Sequence, residues 1–238
     1  PTAGPWPRQA PGTHPTPSGW PSWWTSSSKT PTERTRALPA PCSRPTLASS
    51  SPDLAARVWS RVTVPDVVIV LAPVHSFSGP RVSVWEQGVW HIPGHAFPTD
   101  EGLVKRVQEL LPDVKPSRIA FRKHEVELNL PFLWRKNPNA RLLVLGFHDN
   151  EKRQYSNTGP EALTRWGKGI AQLVTEIEAG GEQALLLMTT DLVHYVPLTE
   201  ADEHDPKVLS YMQAYDVEGM YSYIRDNKVS VCGEIPCL

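Results

Sequence analysis

Residues that can do acid–base or metal chemistry follow two apolar segments of the sequence. His75 comes shortly after Asp66–Ala72, and Asp191 and His194 follow Gln183–Thr190. Both segments are short apolar runs of the kind that form strands buried on both faces of a parallel sheet. Because sites in open α/β sheets form outside the carboxyl ends of strands, we expect these three side chains to converge in one crevice. A histidine after a strand, taken alone, is more often an ordinary loop residue.

Two further motifs carry residue types that could act in the same crevice. His124 and Glu127 are three residues apart, so they would share a face of a helix. A carboxylate beside an imidazole can orient it or raise its pKa; the alternative is an exposed helix start with ordinary charges. Cys232 precedes Gly233 in a predicted turn, where it could be a thiolate ligand or a nucleophile. The alternative for Cys232 is a buried apolar side chain.

Two other histidine-containing stretches carry weaker signals. His91 and His95 have the spacing of one helix face, but a Pro-Gly pair between them excludes a regular helix. We therefore interpret that pair as unrelated loop residues. His148 follows the apolar run Arg141–Phe147 and could reach the same edge of the sheet.

Helical and strand patterns alternate along the chain from Leu54 onward. This alternation is typical of an α/β fold with three layers, in which helices flank both faces of a central mixed or mostly parallel sheet. Beside the strands given above, the patterns predict helices at Leu54–Val62, Leu103–Leu111, Gly159–Ala179, Pro206–Tyr215 and Val217–Asn227, an edge strand or hairpin at Val82–Trp90, and the beginning of a strand at Val229–Val231.

Composition and charge exclude several classes of function. The net charge of −1 gives no indication of binding to nucleic acid or to an acidic membrane surface. Three cysteines are an odd and low number, which favours a reducing compartment, here the cytoplasm, over a disulfide framework. The sequence contains neither an apolar run of about 18 residues nor a basic segment followed by an apolar one, so we expect no membrane helix and no secretory signal.

Residues 1–51 differ in composition from the rest of the chain. They are rich in Pro, Ser and Thr and poor in aliphatic residues, which is typical of a disordered tail. They also contain Trp6, Trp20, Trp23 and Trp24, although disordered tails are poor in aromatic residues. We therefore expect residues 1–51 to be a disordered segment foreign to the domain at 52–238, and two explanations remain open: a true Pro-rich tail or a product of the wrong reading frame.

The reading-frame hypothesis can be examined with the genetic code alone. When the third base of each codon is grouped with the first two bases of the next, Trp20-Pro21 forces Ala, Trp23-Trp24 forces Val and Trp24-Thr25 forces Asp. The codons of residues 17–28 can then encode ERLAELVDELL, preceded by a Pro. This text has apolar residues at the spacing of an amphipathic helix, with charged residues on the other face.

Four pieces of the sequence, in this order, resemble the Memo-like family (AmmeMemoRadiSam system protein B). They are LAPVHS (71–76), HEVELNLPFL (124–133), TTDLVHY (189–195) and VCGEIP (231–236). At these places the family typically has GP-N/S-H, HSIE-x-x-LPF, S-D-x-S-H-Y/W and CG-x-x-P. The resemblance spans 54–238, and the regrouped text at 17–28 resembles the opening helix of the family.

The resemblance implies a fold similar to that of the class III extradiol dioxygenases, with a mononuclear metal site and a redox or dioxygenase-like activity. Its N and S ligands suit iron or copper, and zinc less well. It also implies a small molecule or a peptide as the bound partner and a functional link to AMMECR1-like and radical-SAM proteins. Carried over by position, the site residues are the metal ligands His75 and Cys232, the acid–base residues His194 and Asp191, and the cleft residues His124, Glu127 and Tyr195.

The chain departs from the family pattern in two places. The first His ligand of the family lies in a P-H-A-G-Y motif just before the first helix, and here residues 39–44 read PAPCSR. Cys42 is the alternative ligand, but its flanking residues bear no resemblance to the motif. The family also continues beyond the Cys-Gly turn, so we expect 52–238 to be truncated at its carboxyl end. The metal site is therefore expected to be impaired and could lack its ion, and the competing hypothesis is a metal-independent protein that binds a peptide or partner in the same cleft.

Overall fold

The computed structural model describes residues 52–75, 79–121, 125–148 and 158–238, all of which belong to one compact unit. The predictions for residues 1–51 and for His124 therefore lie outside the described residues. The described strands are, in chain order, β1 Val67–Val74, β2 Val82–Val84, β3 Val89–Ile92, β4 His95–Pro98, β5 Val114–Pro116, β6 Arg141–His148 and β7 Ala184–Met188. The described helices are α1 Pro52–Ser60, α2 Glu101–Leu110, α3 Leu130–Lys136, α4 Pro160–Ala179, α5 Leu198–Ala214, α6 Val217–Asp226 and α7 Glu234–Cys237.

A five-stranded sheet with the order β5-β2-β6-β1-β7 forms the centre of the fold. Strand β1 pairs in parallel with both β6 and β7, and β2 pairs in parallel with β5. The pairing of β2 with β6 is antiparallel. The sheet is therefore mixed and mostly parallel, as predicted, and the carboxyl ends of β1, β6 and β7 lie at the same edge.

Helices cover both faces of the sheet because the side chains of its strands alternate between two cores. Val67, Ile69 and Leu71 of β1 pack in a cluster with apolar residues of α2, α4 and α7. The intervening residues Val68 and Val70 pack on the other face, in a cluster with residues of α1 and α3. All eight residues of β1 are buried, which explains its continuous apolar sequence. The predicted three-layer α/β architecture is confirmed.

Helices α5 and α6 form a third apolar cluster with the segments that follow β7 and α6. Val208 of α5 and Ile224 of α6 pack with Leu192, Val229 and Val231. This cluster joins the predicted site residues after β7 to the stretch that contains Cys232. None of the helices among the described residues is long and apolar enough to cross a membrane.

Four predictions of local structure were wrong. The span Val82–Trp90, predicted as an edge strand or hairpin, contains β2, which lies between β5 and β6 inside the sheet, and the start of β3, whose hairpin partner is β4. Helix α5 begins at Leu198 rather than Pro206, because its first half is polar and mostly exposed and so has no apolar stripe to reveal it. The predicted strand at Val229–Val231 is only an isolated antiparallel bridge between Val193 and Val231, followed by α7. His91 and His95 are not loop residues but belong to the hairpin of β3 and β4.

Candidate functional site

His75 lies at the end of β1 and faces the carboxylate of Glu125. The distance from His75 Nε2 to Glu125 Oε1 is 3.9 Å, and the two side chains are 26% and 6% exposed. The backbone carbonyl of Glu125 accepts hydrogen bonds from Thr189 Oγ1 at 3.2 Å and from Asn129 Nδ2 at 3.3 Å. Because Thr189 directly follows β7, these contacts bring the ends of β1 and β7 and the Glu125 turn together.

Cys232 lies against the backbone that follows β7. The backbone N–H of Asp191 donates to Cys232 Sγ at 3.0 Å, and the N–H of Gly233 donates to Thr190 Oγ1 at 2.9 Å. A Cβ atom on Gly233 would lie 2.4 Å from Thr190 Cβ and 2.6 Å from the carbonyl oxygen of Thr189. Only glycine permits this approach, so the Cys-Gly pair has a physical reason in the close packing of the turn on the end of the sheet.

The surroundings of Cys232 keep its sulfur protonated at neutral pH. Burial raises the pKa of the Cys232 thiol to about 11, and the nearby carboxylates of Asp191 and Glu125 add to this rise. Burial also raises the pKa of Cys237, with a contribution from Cys232. Both cysteines are free. The carboxylates of Asp191 and Glu125 thus make the electrostatic potential around Cys232 negative.

Hydrogen bonds to the backbone fix the imidazole of His194. Its Nδ1 lies 3.0 Å from the carbonyl oxygen of Ser230 and 3.2 Å from Ser230 Oγ. Because a carbonyl only accepts, the neutral ring carries its proton on Nδ1 and its lone pair on Nε2. The preceding residue is also held, since the N–H of Val193 donates to Asp205 Oδ1 at 3.0 Å. The ring is thus arranged to accept a proton at Nε2.

The predicted cleft residues are placed differently from one another. Tyr195 is 93% exposed, has a φ of 60°, and its ring centroid is 4.8 Å from that of His194. Glu127 is half-buried and begins the 3₁₀ helix Glu127–Asn129. His148 ends β6 beside the end of β1, since it pairs in register with Val74. The structure therefore groups His75 with Glu125 and Cys232 with Asp191, and leaves Tyr195 at the surface.

The donor atoms fit a transition-metal ion in type but not as a closed coordination sphere. An imidazole nitrogen, a carboxylate oxygen and a sulfur are ligands that iron, copper and zinc accept. Within 52–75, 79–121, 125–148 and 158–238, however, no group of three or more His, Cys, Asp or Glu side chains is arranged so that it could hold a metal ion. His75 and Glu125 thus form a two-donor pair.

Several residues that shape the site were missed by the sequence analysis. Glu125 had a signal, because it stands where the family pattern HSIE has Ser, but we interpreted only its neighbours His124 and Glu127. The remaining residues act through backbone contacts or through pairs on different elements of the fold, which no local pattern reveals. They are Thr190, Asp205, Arg225, Ser230 and Glu234.

Comparisons with known proteins agree with the resemblance seen in the motifs. The model of the family described as Memo-like protein matches residues 23–238. A MEMO1 family protein of Aquifex aeolicus (strain VF5) is 26% identical over 188 residues, which are 77% of this chain and 64% of that protein. A MEMO1 family protein of Caldivirga maquilingensis is 26% identical over 170 residues, 71% of this chain and 56% of that protein. The chain therefore spans less than two thirds of the length of these relatives.

Similarity to solved structures is weaker. The crystal structure of an uncharacterized protein from Escherichia coli K12 superposes with a TM-score of 0.39 and 18% sequence identity. The superposition covers 59% of this chain and 54% of that chain.

Proposed function

Because this chain belongs to the Memo-like protein family, we propose that it binds a redox-active metal ion, iron or copper, at the carboxyl edge of its sheet and acts there on a small molecule or a peptide. The observation that carries the proposal is the approach of His75 Nε2 to Glu125 Oε1, at 3.9 Å. An imidazole nitrogen and a buried carboxylate oxygen placed in this way supply two ligands of a metal site. The absence of a His in the P-H-A-G-Y position weakens the site.

Glu125 and Cys232 are the donors that would complete the site beside His75. Glu125 stands in the place of a family Ser and so adds an oxygen donor to the site. The nitrogen donor of the P-H-A-G-Y motif, at another position of the chain, is absent. Its carboxylate is close enough to Cys232 to raise the pKa of that thiol. Since carboxylate oxygen is a harder ligand than imidazole or thiolate, this donor set favours iron over copper, and zinc remains the less favoured choice.

A bound iron ion would supply the binding of O₂ or of an oxidisable substrate, and the protein supplies proton handling and orientation. His194 accepts a proton at Nε2 because Ser230 holds the proton of the neutral ring on Nδ1. Asp191 holds Cys232 Sγ through its backbone N–H. Tyr195 and Glu127, which stand at cleft positions of the family motifs, contact the substrate. A reducing compartment such as the cytoplasm keeps the thiol available, and AMMECR1-like or radical-SAM proteins are the functional partners of this role.

The second candidate is a metal-independent protein that binds a peptide or partner in the same cleft. It is favoured by the lack, among the described residues, of a three-donor arrangement that could hold a metal ion. It is also favoured by Tyr195, a residue that is 93% exposed and whose ring, beside that of His194, offers a large apolar contact to a partner.

Metal analysis of the purified protein after anaerobic loading with Fe²⁺ or Cu⁺ separates the two candidates. The metal proposal expects one equivalent in the wild type and its loss in the His75→Ala and Glu125→Gln variants. His91→Ala is the matched control, because His91 is exposed on β3. A wild-type protein that folds cooperatively and takes up no ion, or variants that retain it like the control, would refute the metal site and favour the binding protein.

A further inference from the structure

A buried ion pair joins α6 to the turn that carries Cys232. Arg225 Nη1 lies 2.6 Å from Glu234 Oε1, and the Glu234 side chain is 2% exposed. A buried carboxylate is strongly destabilising unless it is paired, and Arg225 supplies a positive charge to Glu234. Glu234 lies only two residues beyond Cys232, and the family pattern CG-x-x-P specifies no residue type at its position.

Contacts within α6 hold the guanidinium of Arg225 in place. Its Cζ is 3.3 Å from the centroid of the Tyr221 ring, and Nη1 also donates to the carbonyl oxygen of Tyr221 at 3.2 Å. A cation stacked on an aromatic ring and bonded to its own helix has few alternative positions. Arg225 is therefore a fixed anchor for Glu234.

The turn is held on both sides of Cys232. On one side Val231 forms the bridge to Val193, in the segment that follows β7. On the other side Gly233 donates to Thr190 and Glu234 is bound by Arg225. The contacts of Val231, Gly233 and Glu234 therefore place the Cys232 sulfur at the N–H of Asp191, and none of these contacts involves the sulfur.

We propose that Arg225 and Glu234 are positioning residues that hold the turn of Cys232 against the segment that follows β7, at the candidate site. An effect of this pair on metal binding rests on the proposed function, in which Cys232 is a metal ligand. The effect of the pair on the position of Cys232 is independent of that function. Loss of the pair would let the turn open and increase the exposure of Cys232, which is partly exposed in the folded protein, while the sheet remains folded.

Alkylation of Cys232 in the full chain, followed by tandem mass spectrometry to assign the label, tests the proposal without any metal. We expect Arg225→Met and Glu234→Gln to raise the labelling rate of Cys232 about tenfold or more, since a tenfold change needs only about 1.4 kcal/mol of local opening. Arg225→Lys should give an intermediate rate because it keeps the charge. If Arg225→Met fails to fold, the double variant Arg225→Met/Glu234→Gln leaves no unpaired buried charge and replaces it.

The matched control is Arg106→Met, which removes the ion pair between Arg106 of α2 and Glu176 of α4. Unchanged labelling in the control and faster labelling in the Arg225 and Glu234 variants support the proposal. Equal rates in all of these proteins overturn it, and so does a rate increase matched by faster hydrogen exchange throughout β1, which would indicate general unfolding.

Titration with Co²⁺ adds a second readout that separates this inference from the proposed function. We expect the thiolate-to-cobalt absorption of the wild type to be lost in Glu234→Gln while the remaining cobalt bands persist, which supports the positioning role. A wild type that binds Co²⁺ without thiolate absorption refutes Cys232 as a metal ligand, and the labelling rates then decide the positioning role alone.

Discussion

Replacement of Gly233 by Ala should destabilise the protein at the turn that carries Cys232. The added methyl group would lie 2.4 Å from Thr190 Cβ and 2.6 Å from the Thr189 carbonyl oxygen, whereas carbon atoms in contact prefer about 3.5–4.0 Å. The Thr189 backbone has little freedom to move away, since its N–H donates to the carbonyl oxygen of Leu71 in β1 at 3.0 Å. A clash of this size costs about 1–3 kcal/mol.

Gly167→Ala is the control for the same chemical change. Gly167 lies on the exposed face of α4, and a Cβ there would meet nothing within 4 Å. Alanine at this helical position should stabilise the protein by about 1 kcal/mol. Both substitutions reduce the freedom of the unfolded chain by the same amount, so their free energies of unfolding should differ by about 2–4 kcal/mol.

Urea unfolding followed by circular dichroism measures this difference, provided that the slopes of the transitions agree. A Gly233→Ala protein within about 0.5 kcal/mol of the wild type would show that the turn adjusts freely, and the close-packing account of the Cys-Gly pair would be wrong.

Three further predictions concern two carboxylates and the coding sequence. Burial raises the pKa of Asp113, but hydrogen bonds from Trp166 and Arg165 outweigh it and hold that pKa below its usual value; Asp113→Ala should therefore cost about 1–2 kcal/mol in urea unfolding at neutral pH, and the deficit should vanish as the pH falls below about 4. Burial raises the pKa of Asp205, so the contribution of this carboxyl group to stability should be lost as the pH rises through that pKa. Asp205→Asn, which keeps an acceptor for Val193, should be the more stable protein at neutral pH but not near pH 4, and an equal or lower stability at neutral pH would contradict this. The genomic DNA should encode an aliphatic helix in the alternative frame across codons 17–28, and its absence there would leave the Pro-rich tail as the explanation of residues 1–51.

The parts of the fold that the sequence predicted are those with a long local pattern. Strands β1 and β6 are continuous apolar runs, and α4 repeats its buried residues at helical spacing. The pattern at Val82–Trp90 revealed a strand, but the three residues of β2 are too few to show that it lies between β5 and β6. The first half of α5 carries no apolar stripe and so lacked a signal. Placing His75 and Asp191 at one edge needed only the rule for strand ends, because β1 and β7 are parallel neighbours.

The finer geometry of the site could not be predicted, because it depends on pairs that only the folded chain brings together. Glu125 and Thr189 are 64 positions apart in the sequence, and Asp191 and Cys232 are 41 apart. Arg225 and Glu234 are near in sequence but belong to different helices, so their contact depends on the direction of the turn between them.

The two halves of the site are held by different kinds of contact, and this difference matters for the choice between the two proposed functions. The segments around His194 and Cys232 are joined by backbone and side-chain hydrogen bonds and by the Val193–Val231 bridge, all of which form without an ion. His75 Nε2 and Glu125 Oε1 face each other at 3.9 Å, a separation too long for a hydrogen bond between these two atoms. If the proposed metal function holds, removal of the ion would alter the surroundings of His75 and Glu125 and leave the backbone hydrogen bonds around His194 and Cys232 in place. A chain without its ion would keep the surface that the binding-protein alternative requires, so the metal analysis, rather than the integrity of the fold, decides between the two functions.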